Sequence, residues 1–260
     1  MSVIAVAGGT GTAGRAIAAE AIRRGFETRI LSRHAPEAGG APSGVRHFPA
    51  DLATGDGLAA ALAGADIVVD ATDGKSGRAL QAMPQNSSNL LRAAQLAGAD
   101  RAVLLSIAGA DQSTLGYYKV QAARARRFNA APMDTVIAYS TQFHDLLASL
   151  FAAGARIGLI PALGTARFQP IATAAMAAAL LDAALKTSEE PHGSVSFGGP
   201  EVLPMKELAR QWQAITGRRG LLVSVPVPGP VGRYLAAGTN LVPGNALPGQ
   251  TFREWLLARG

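Results

Sequence analysis

The sequence predicts an α/β protein: a parallel sheet with helices on both faces and a smaller C-terminal lobe. Three observations carry that reading. Short apolar runs recur through the first 140 residues, Ala-rich stretches with helical periodicity separate them, and the first run enters a glycine series, Gly8-Gly-Thr-Gly11-Thr-Ala-Gly14, without a break. A strand buried on both faces reads as a continuous apolar run, as residues 3–7 (Val-Ile-Ala-Val-Ala) do.

The glycine turn opens a helix over about 13–24, stopped by Gly25, and a second strand follows at 27–31. Strand, glycine turn, helix and strand at this spacing form a βαβ unit, so the fold is expected to be Rossmann-like. Glycines let the turn tighten while the helix presents its free N–H groups to a pyrophosphate, which makes a dinucleotide the first ligand to consider. Gly8, Thr10, Gly11, Thr12, Ala13 and Gly14 are the residues expected at that pyrophosphate. Arg15-Ala16 follows Gly14 where a nucleotide hydrolase needs Lys and Ser or Thr, so ATP and GTP hydrolysis lose their support.

The second strand ends in Ser32-Arg33 with no carboxylate for a ribose 2′-hydroxyl. A guanidinium at that point pairs with a 2′-phosphate, so NADP is expected over NAD. A third strand near 47–50 leads to Asp51-Leu52, expected beside the adenine, with capping of the next turn as the alternative role of Asp51. A short helix is read at 57–63, and a strand at 65–70 runs into a loop holding Ala71 and Thr72 at its C-terminal end. Ligands of open sheets gather at such ends. A helix over 86–97 ends at Gly98, and the strand 102–107 carries Ser106 at its end, near where a nicotinamide is expected to lie, with a catalytic hydroxyl and an ordinary strand-end hydroxyl as the alternatives. A helix carrying Arg124, Arg126 and Arg127 and a strand at 135–139 complete the first half.

Residues 146–163 read as a packed helix and loop, because Arg156, Gly158 and Pro161 interrupt the apolar run and argue against a membrane span. A long Ala/Leu helix to about Lys186, a strand at 192–197, a helix at 205–216 ended by Gly217 and a strand at 221–227 follow. Gly/Pro-rich loops over 225–249 are expected to shape a cleft. Residues 1–150 are thus expected to form the NAD(P)-binding core. Residues 151–260 are expected to return to that core and add a small α/β substrate-side lobe, with Trp212 and Trp255 in packing.

Taken in order, the glycine motif, Ser32-Arg33, Asp51-Leu52, Tyr117-Tyr118, Thr141-Gln-Phe-His144 and Thr251-Phe-Arg-Glu-Trp255-Leu256 resemble the NmrA-like, atypical branch of the short-chain dehydrogenase/reductase superfamily. The resemblance implies a Tyr-x-x-x-Lys pair beside the nicotinamide, in which the lysine holds the ribose and lowers the phenol's pKa. Here Tyr117 matches the tyrosine and Gln121 stands at the lysine position. Gln121 is able to bond a ribose but not to supply charge. Lys119 is two residues from Tyr117 and on another part of the helix, and a register that used it would place Leu115 at the tyrosine position. Ala125 and Tyr139 replace an acidic residue and an arginine common in the family. The Thr141 to His144 segment is implied to pass the nicotinamide, with His144 as a second candidate for proton exchange or substrate contact and Phe143 as a wall.

Several classes are set aside. The chain has 260 residues, 48% hydrophobic and 16% charged, and no cysteine, which removes disulfides, thiol catalysis and thiolate metal sites. Its four histidines are dispersed without metal spacing, and no nucleophile elbow occurs. The +6 charge suits weak polyanion contact, yet the closest basic group, Arg124, Arg126 and Arg127, lacks aromatic interleaving and reads as a solvated helix face, so no specific nucleic-acid binding is expected. The start lacks a targeting pattern and a cytoplasmic protein is expected. The sequence therefore leads to an NADP(H)-dependent oxidoreductase acting on a small organic acceptor such as a quinone or carbonyl compound. A non-catalytic NADP(H)-binding sensor is the alternative, and a homodimer or protein partner is possible.

Overall fold

The computed structural model describes residues 2–35, 41–186 and 190–259. In chain order the first half holds β1 (Val3–Ala7), α1 (Thr12–Arg23), β2 (Glu27–Ser32), β3 (Arg46–Pro49), α2 (Leu58–Leu62), β4 (Ile67–Asp70), α3 (Gly77–Leu96), β5 (Arg101–Ile107), α4 (Gly116–Asn129) and β6 (Asp134–Ser140). The second half holds α5 (His144–Arg156), β7 (Leu159–Leu163), β8 (Arg167–Phe168), α6 (Thr173–Leu185), β9 (His192–Phe197), β10 (Leu203–Pro204), α7 (Met205–Thr216), β11 (Leu221–Val225), α8 (Gly229–Ala236) and α9 (Phe252–Leu257).

A seven-stranded parallel sheet runs in the order β3-β2-β1-β4-β5-β6-β9. Adjacent strands that are not consecutive in the chain require helical crossovers, which is what the alternation of apolar runs and Ala-rich stretches encodes. Register levels the strand ends: Ala7 lies opposite both Leu31 and Asp70, and Asp70 opposite Leu104. The glycine turn, the Arg33 loop and the Thr72 loop therefore leave the sheet at one edge. The order reverses at β1 and β4, the switch point at which open sheets bind ligands.

The chain divides into two compact units. The first comprises Met1–Ser106, Gly116–Ala138 and Ala177–Val195, the second Ile107–Leu115, Tyr139–Met176 and Ser196–Gly260. One core of the first unit packs β1, β2 and β4 side chains such as Val3, Leu31 and Val68 against Leu58, Leu62, Leu90 and Ala94 of α2 and α3. The second unit has its own core, in which Phe151, Met205, Leu208, Trp212, Phe252 and Trp255 meet. Trp212 and Trp255 are both buried, as packing residues should be.

Three local expectations change. The helix expected to start after Pro84 begins at Gly77 and carries Pro84 inside it. Proline forfeits the bond to Leu80 O, but Pro84 is only half-buried while Met83, Ser87, Leu90 and Leu91 drive the helix against the core. The loop expected before residue 163 is β7, held in parallel by β11 from Leu159↔Leu221 to Leu163↔Val225. Within the expected loops of 225–249, α8 forms with a proline in its first turn, where a missing N–H costs nothing. Among the described residues, no helix is long and apolar enough to cross a membrane.

Candidate functional site

Gly8, Gly11 and Gly14 each have their own reason to be there. Gly8 has φ +76°, and a Cβ on it would lie 2.7 Å from Ala71 O. A Cβ on Gly14 would sit 2.2 Å from Gly8 O, so α1 closes onto the turn only because Gly14 lacks one. Gly11 differs. It caps α1 with ordinary angles, φ −77° and ψ 170°, and a Cβ there would meet only Gly8 O, at 3.3 Å. Protein packing requires glycine at 8 and 14, whereas an exposed Gly11 keeps space open above the helix. No side chain caps α1, so the first-turn N–H groups of Thr12, Ala13 and Gly14 remain for an anion. Thr10 stands half-exposed in the same turn.

The other expected cofactor residues follow the strand ends. Arg33 is exposed just past β2, and among the described residues nothing takes its guanidinium. Ser32 Oγ is already used, donating to His34 O at 2.6 Å and bonding His47 Nε2 at 2.9 Å. Asp51 Oδ1 accepts from Ala53 N at 2.8 Å, the turn-forming role open to it, and Leu52 O accepts from Asn89 Nδ2 at 2.7 Å. Ala71 is buried under Gly8. Ser106 Oγ is buried and, among the described residues, finds no hydrogen-bond partner. An open glycine turn, an uncapped helix, a free guanidinium and an orphan hydroxyl all fit a phosphate-bearing dinucleotide.

Behind this edge lies a polar network that the sequence reading did not assemble. Arg124 is fully buried and its Nη2 lies 2.7 Å from Asp70 Oδ1, with Asp70 only 1% exposed. Arg124 also donates to Ser87 Oγ (2.9 Å), Thr72 O (3.2 Å), Thr72 Oγ1 (3.1 Å) and Gln121 Oε1 (2.8 Å). Thr72 Oγ1 and Ser87 Oγ donate to the two Asp70 oxygens, both at 2.6 Å. Burial pushes the Asp70 carboxyl up, but the Arg124 charge and these donors outweigh it and hold the group below its usual range. The reading of Arg124 as part of a solvated face is thus corrected: Arg126 and Arg127 are exposed, while Arg124 turns inward to a carboxylate that burial would otherwise make intolerable. A strand ending Val-Val-Asp70 was the available signal, since a carboxylate there needs a partner.

This network decides the surroundings of Tyr117. Its hydroxyl donates to Asp73 Oδ1 at 2.9 Å. Desolvation first, then the Asp73 charge, push the phenol well above its ordinary value, opposed by a hydrogen bond from Gln121 and the Arg124 charge. Gln121 is buried with its oxygen on Arg124. Lys119 is exposed on the same helix. Tyr117 is therefore a protonated hydrogen-bond donor at neutral pH, and no free cation of α4 lowers its pKa.

His144 belongs to the second unit. It opens α5, is fully buried, and packs 5.6 Å from Phe252 and 5.5 Å from Trp255 between ring centroids. Its Nε2 donates to Gln250 O at 3.0 Å, which places the proton on Nε2, and Nδ1 has no partner among the described residues. Desolvation pushes its pKa down, so the ring is neutral. Among the described residues, no group of His, Cys, Asp or Glu has the arrangement of a metal site.

Comparison with known proteins gives a consistent fold. Residues 8–147 match a family described as NAD(P)H-binding. The structure is similar to an NADPH-dependent quinone oxidoreductase from Escherichia coli solved with NADPH, at 17% identity over 98% of this chain and 99% of that one, TM-score 0.78. It is similar to a nucleoside-diphosphate-sugar epimerase from Staphylococcus aureus, 17% identical over 99% and 100% of the two chains, TM-score 0.76. A UDP-glucose 4-epimerase from Thermus thermophilus with bound NAD is 18% identical over 98% and 96%, TM-score 0.75. No curated protein sequence matches the chain.

Proposed function

Because the chain belongs to the NAD(P)H-binding family, we propose that it is an NADP(H)-dependent oxidoreductase whose acceptor is a quinone or similarly electron-poor small molecule. The observation that carries this reading is the state of Tyr117. A simple ketone needs a strong proton donor as its oxyanion develops, and in the superfamily resemblance a lysine tunes the tyrosine for that task. Here burial and then the Asp73 charge raise the phenol, and Gln121 brings no charge. A quinone spreads the charge of the added hydride's electron pair over its own ring and oxygens, and takes the one further proton it needs from water. The likeness to an NADPH-dependent quinone oxidoreductase supports the same choice.

Bound NADPH would supply the hydride from its nicotinamide ring. The chain's residues bind and orient. The α1 N-terminus and the glycine turn hold the pyrophosphate, Arg33 pairs with the 2′-phosphate, Asp51 and Leu52 flank the adenine, and Ala71, Thr72 and Ser106 line the path toward the nicotinamide. The buried Asp70–Arg124 pair fixes Thr72 and Gln121, and Tyr117 offers its O–H as a hydrogen-bond donor. His144, neutral and enclosed by Phe252 and Trp255, has a packing role in this reading.

Arg33→Ala is expected to weaken NADPH binding about 10- to 100-fold with NADH binding changed less than twofold, the size of one charge-assisted contact. Calorimetric titration with both cofactors checks it, and equal losses would remove Arg33 from phosphate selection. Tyr117→Phe is expected to leave NADPH–quinone turnover within about threefold, with no alkaline limb from this phenol below its ordinary pKa of about 10. A 100-fold drop would show that Tyr117 is the essential acid.

The second reading is a sensor that binds NADP(H) without turnover, favoured by the Tyr117–Asp73 bond and the committed Gln121 oxygen. Purified protein supplied with NADPH and a series of quinones decides between them. Many turnovers per chain establish the enzyme. Tight NADPH binding without oxidation of NADPH establishes the sensor.

A further inference from the structure

The second unit contains a cavity of about 300 Å³ whose lining includes Asp111, Gln112, Tyr139, Ser196, Thr239 and Val242. None of these is among the expected cofactor residues. Tyr139 lies in β6 and Ser196 in β9, both one residue from the strand's C-terminal end, and Asp111 and Gln112 follow β5. Strand ends of this kind are where open α/β sheets place ligands.

The cavity is built, not left over. Gly109 has φ +67°, and a Cβ on it would lie 2.2 Å from Thr239 O, so its missing side chain permits the two walls to approach. The wall at 239–242 is pinned from behind. The fully buried Gln169 accepts from Val242 N at 2.8 Å and donates to Gly199 O at 2.9 Å, Asn240 Nδ2 donates to Arg167 O at 2.9 Å, and Leu241 N to Gly238 O at 2.9 Å. These bonds preorganise the wall.

Its chemistry is selective. The chain carries +6, yet Asp111 is the only charged residue in the lining. Around Asp111 stand a phenol, an amide and two hydroxyls, a set that bonds oxygen-bearing ligands from several directions. Burial, and then the Asp111 charge, raise the Tyr139 phenol, which keeps it a donor at neutral pH.

We propose that this cavity is a small-molecule site of the second unit, and that it takes a small, oxygen-rich, neutral or cationic molecule while disfavouring anionic ones. Tyr139 donates to a ligand oxygen, and Asp111 sets the charge preference. Binding here is independent of turnover.

The test uses three benzoquinones that differ in one substituent: trimethylammoniomethyl, hydroxymethyl and carboxymethyl. Titrated into NADP⁺-loaded protein, which has no hydride to give, they are expected to bind in that order, with about a fivefold span from cation to anion. Asp111→Asn, an exposed position, should shrink the span to less than twofold, and Tyr139→Phe should weaken all three about fivefold, both with NADP⁺ affinity unchanged. Equal binding of the three quinones, or a span that survives Asp111→Asn, overturns the site. NADPH oxidation is then measured separately. The charge order without turnover retains the site and overturns the oxidoreductase reading, whereas turnover without the charge order does the reverse.

Discussion

Arg124→Met is expected to lower stability by about 3–5 kcal/mol, because it leaves the Asp70 carboxylate buried and uncompensated. Methionine preserves much of the side-chain volume, so the loss reports charge and hydrogen bonding more than packing. Ser87, Gln121 and Thr72 each lose a donor at the same time. Asp70→Asn should cost a comparable amount by stranding the guanidinium. The double change Asp70→Leu with Arg124→Met should recover part of the loss, as replacement of whole buried pairs by apolar groups often does. Urea unfolding at pH 7 checks each, and losses under about 1 kcal/mol would mean that the network contributes little.

The same pair fixes a pH dependence. The Asp70 carboxyl is lowered in the folded protein, so its contribution is present above the unfolded value of about 3.9 and is lost as pH falls through the lower folded value. Wild type should therefore lose stability on acidification through that window more steeply than Asp70→Asn. Parallel curves for the two proteins between pH 5 and pH 2 would contradict the assignment.

The second large effect separates two glycines of different role that lie three residues apart, Gly11 and Gly14. Gly14→Ala puts a methyl 2.2 Å from Gly8 O and 2.7 Å from Gly9 Cα, both backbone atoms that cannot swing away. The turn must open, and NADPH affinity is expected to fall at least about 100-fold, with stability reduced as well. Gly11→Ala meets only Gly8 O at 3.3 Å and sits at a helix cap, so the fold should lose less than about 1 kcal/mol. If the pyrophosphate crosses this turn as proposed, the methyl blocks its close approach to the backbone, and affinity should still fall about tenfold. Calorimetry for NADPH and thermal unfolding, run on both variants, resolve the two. If Gly11→Ala binds like wild type, the dinucleotide does not lie across this turn.

Much of the first unit was legible because its signals are local. Five buried residues, a glycine with positive φ and a helix without a cap occupy 21 consecutive positions, Val3 to Arg23, and each constrains its neighbours directly. The ends of α7 were equally readable, since Gly217 at φ +65° stops the helix where the apolar period stops. Helix α3 was half hidden, because proline outweighs periodicity in a local reading while core packing outweighs proline in the fold. α9 carried a readable start, the capping box Thr251/Glu254, within a motif noted only for its resemblance.

Sequence by itself determined the parallel α/β architecture, the glycine turn that follows β1 and the presence of Gln121 where the family resemblance expects a lysine. Tertiary structure alone decided what surrounds those residues. Arg124 and Asp70 are 54 positions apart, and Tyr117 and Asp73 are 44 apart. No periodicity within α4 says that one arginine of its basic group meets a buried carboxylate, or that the phenol faces a negative charge. Those electrostatics arise only when β4, α3 and α4 pack together, because Coulomb interactions depend on distance in space and on the loss of water between the groups, neither of which is written along the chain.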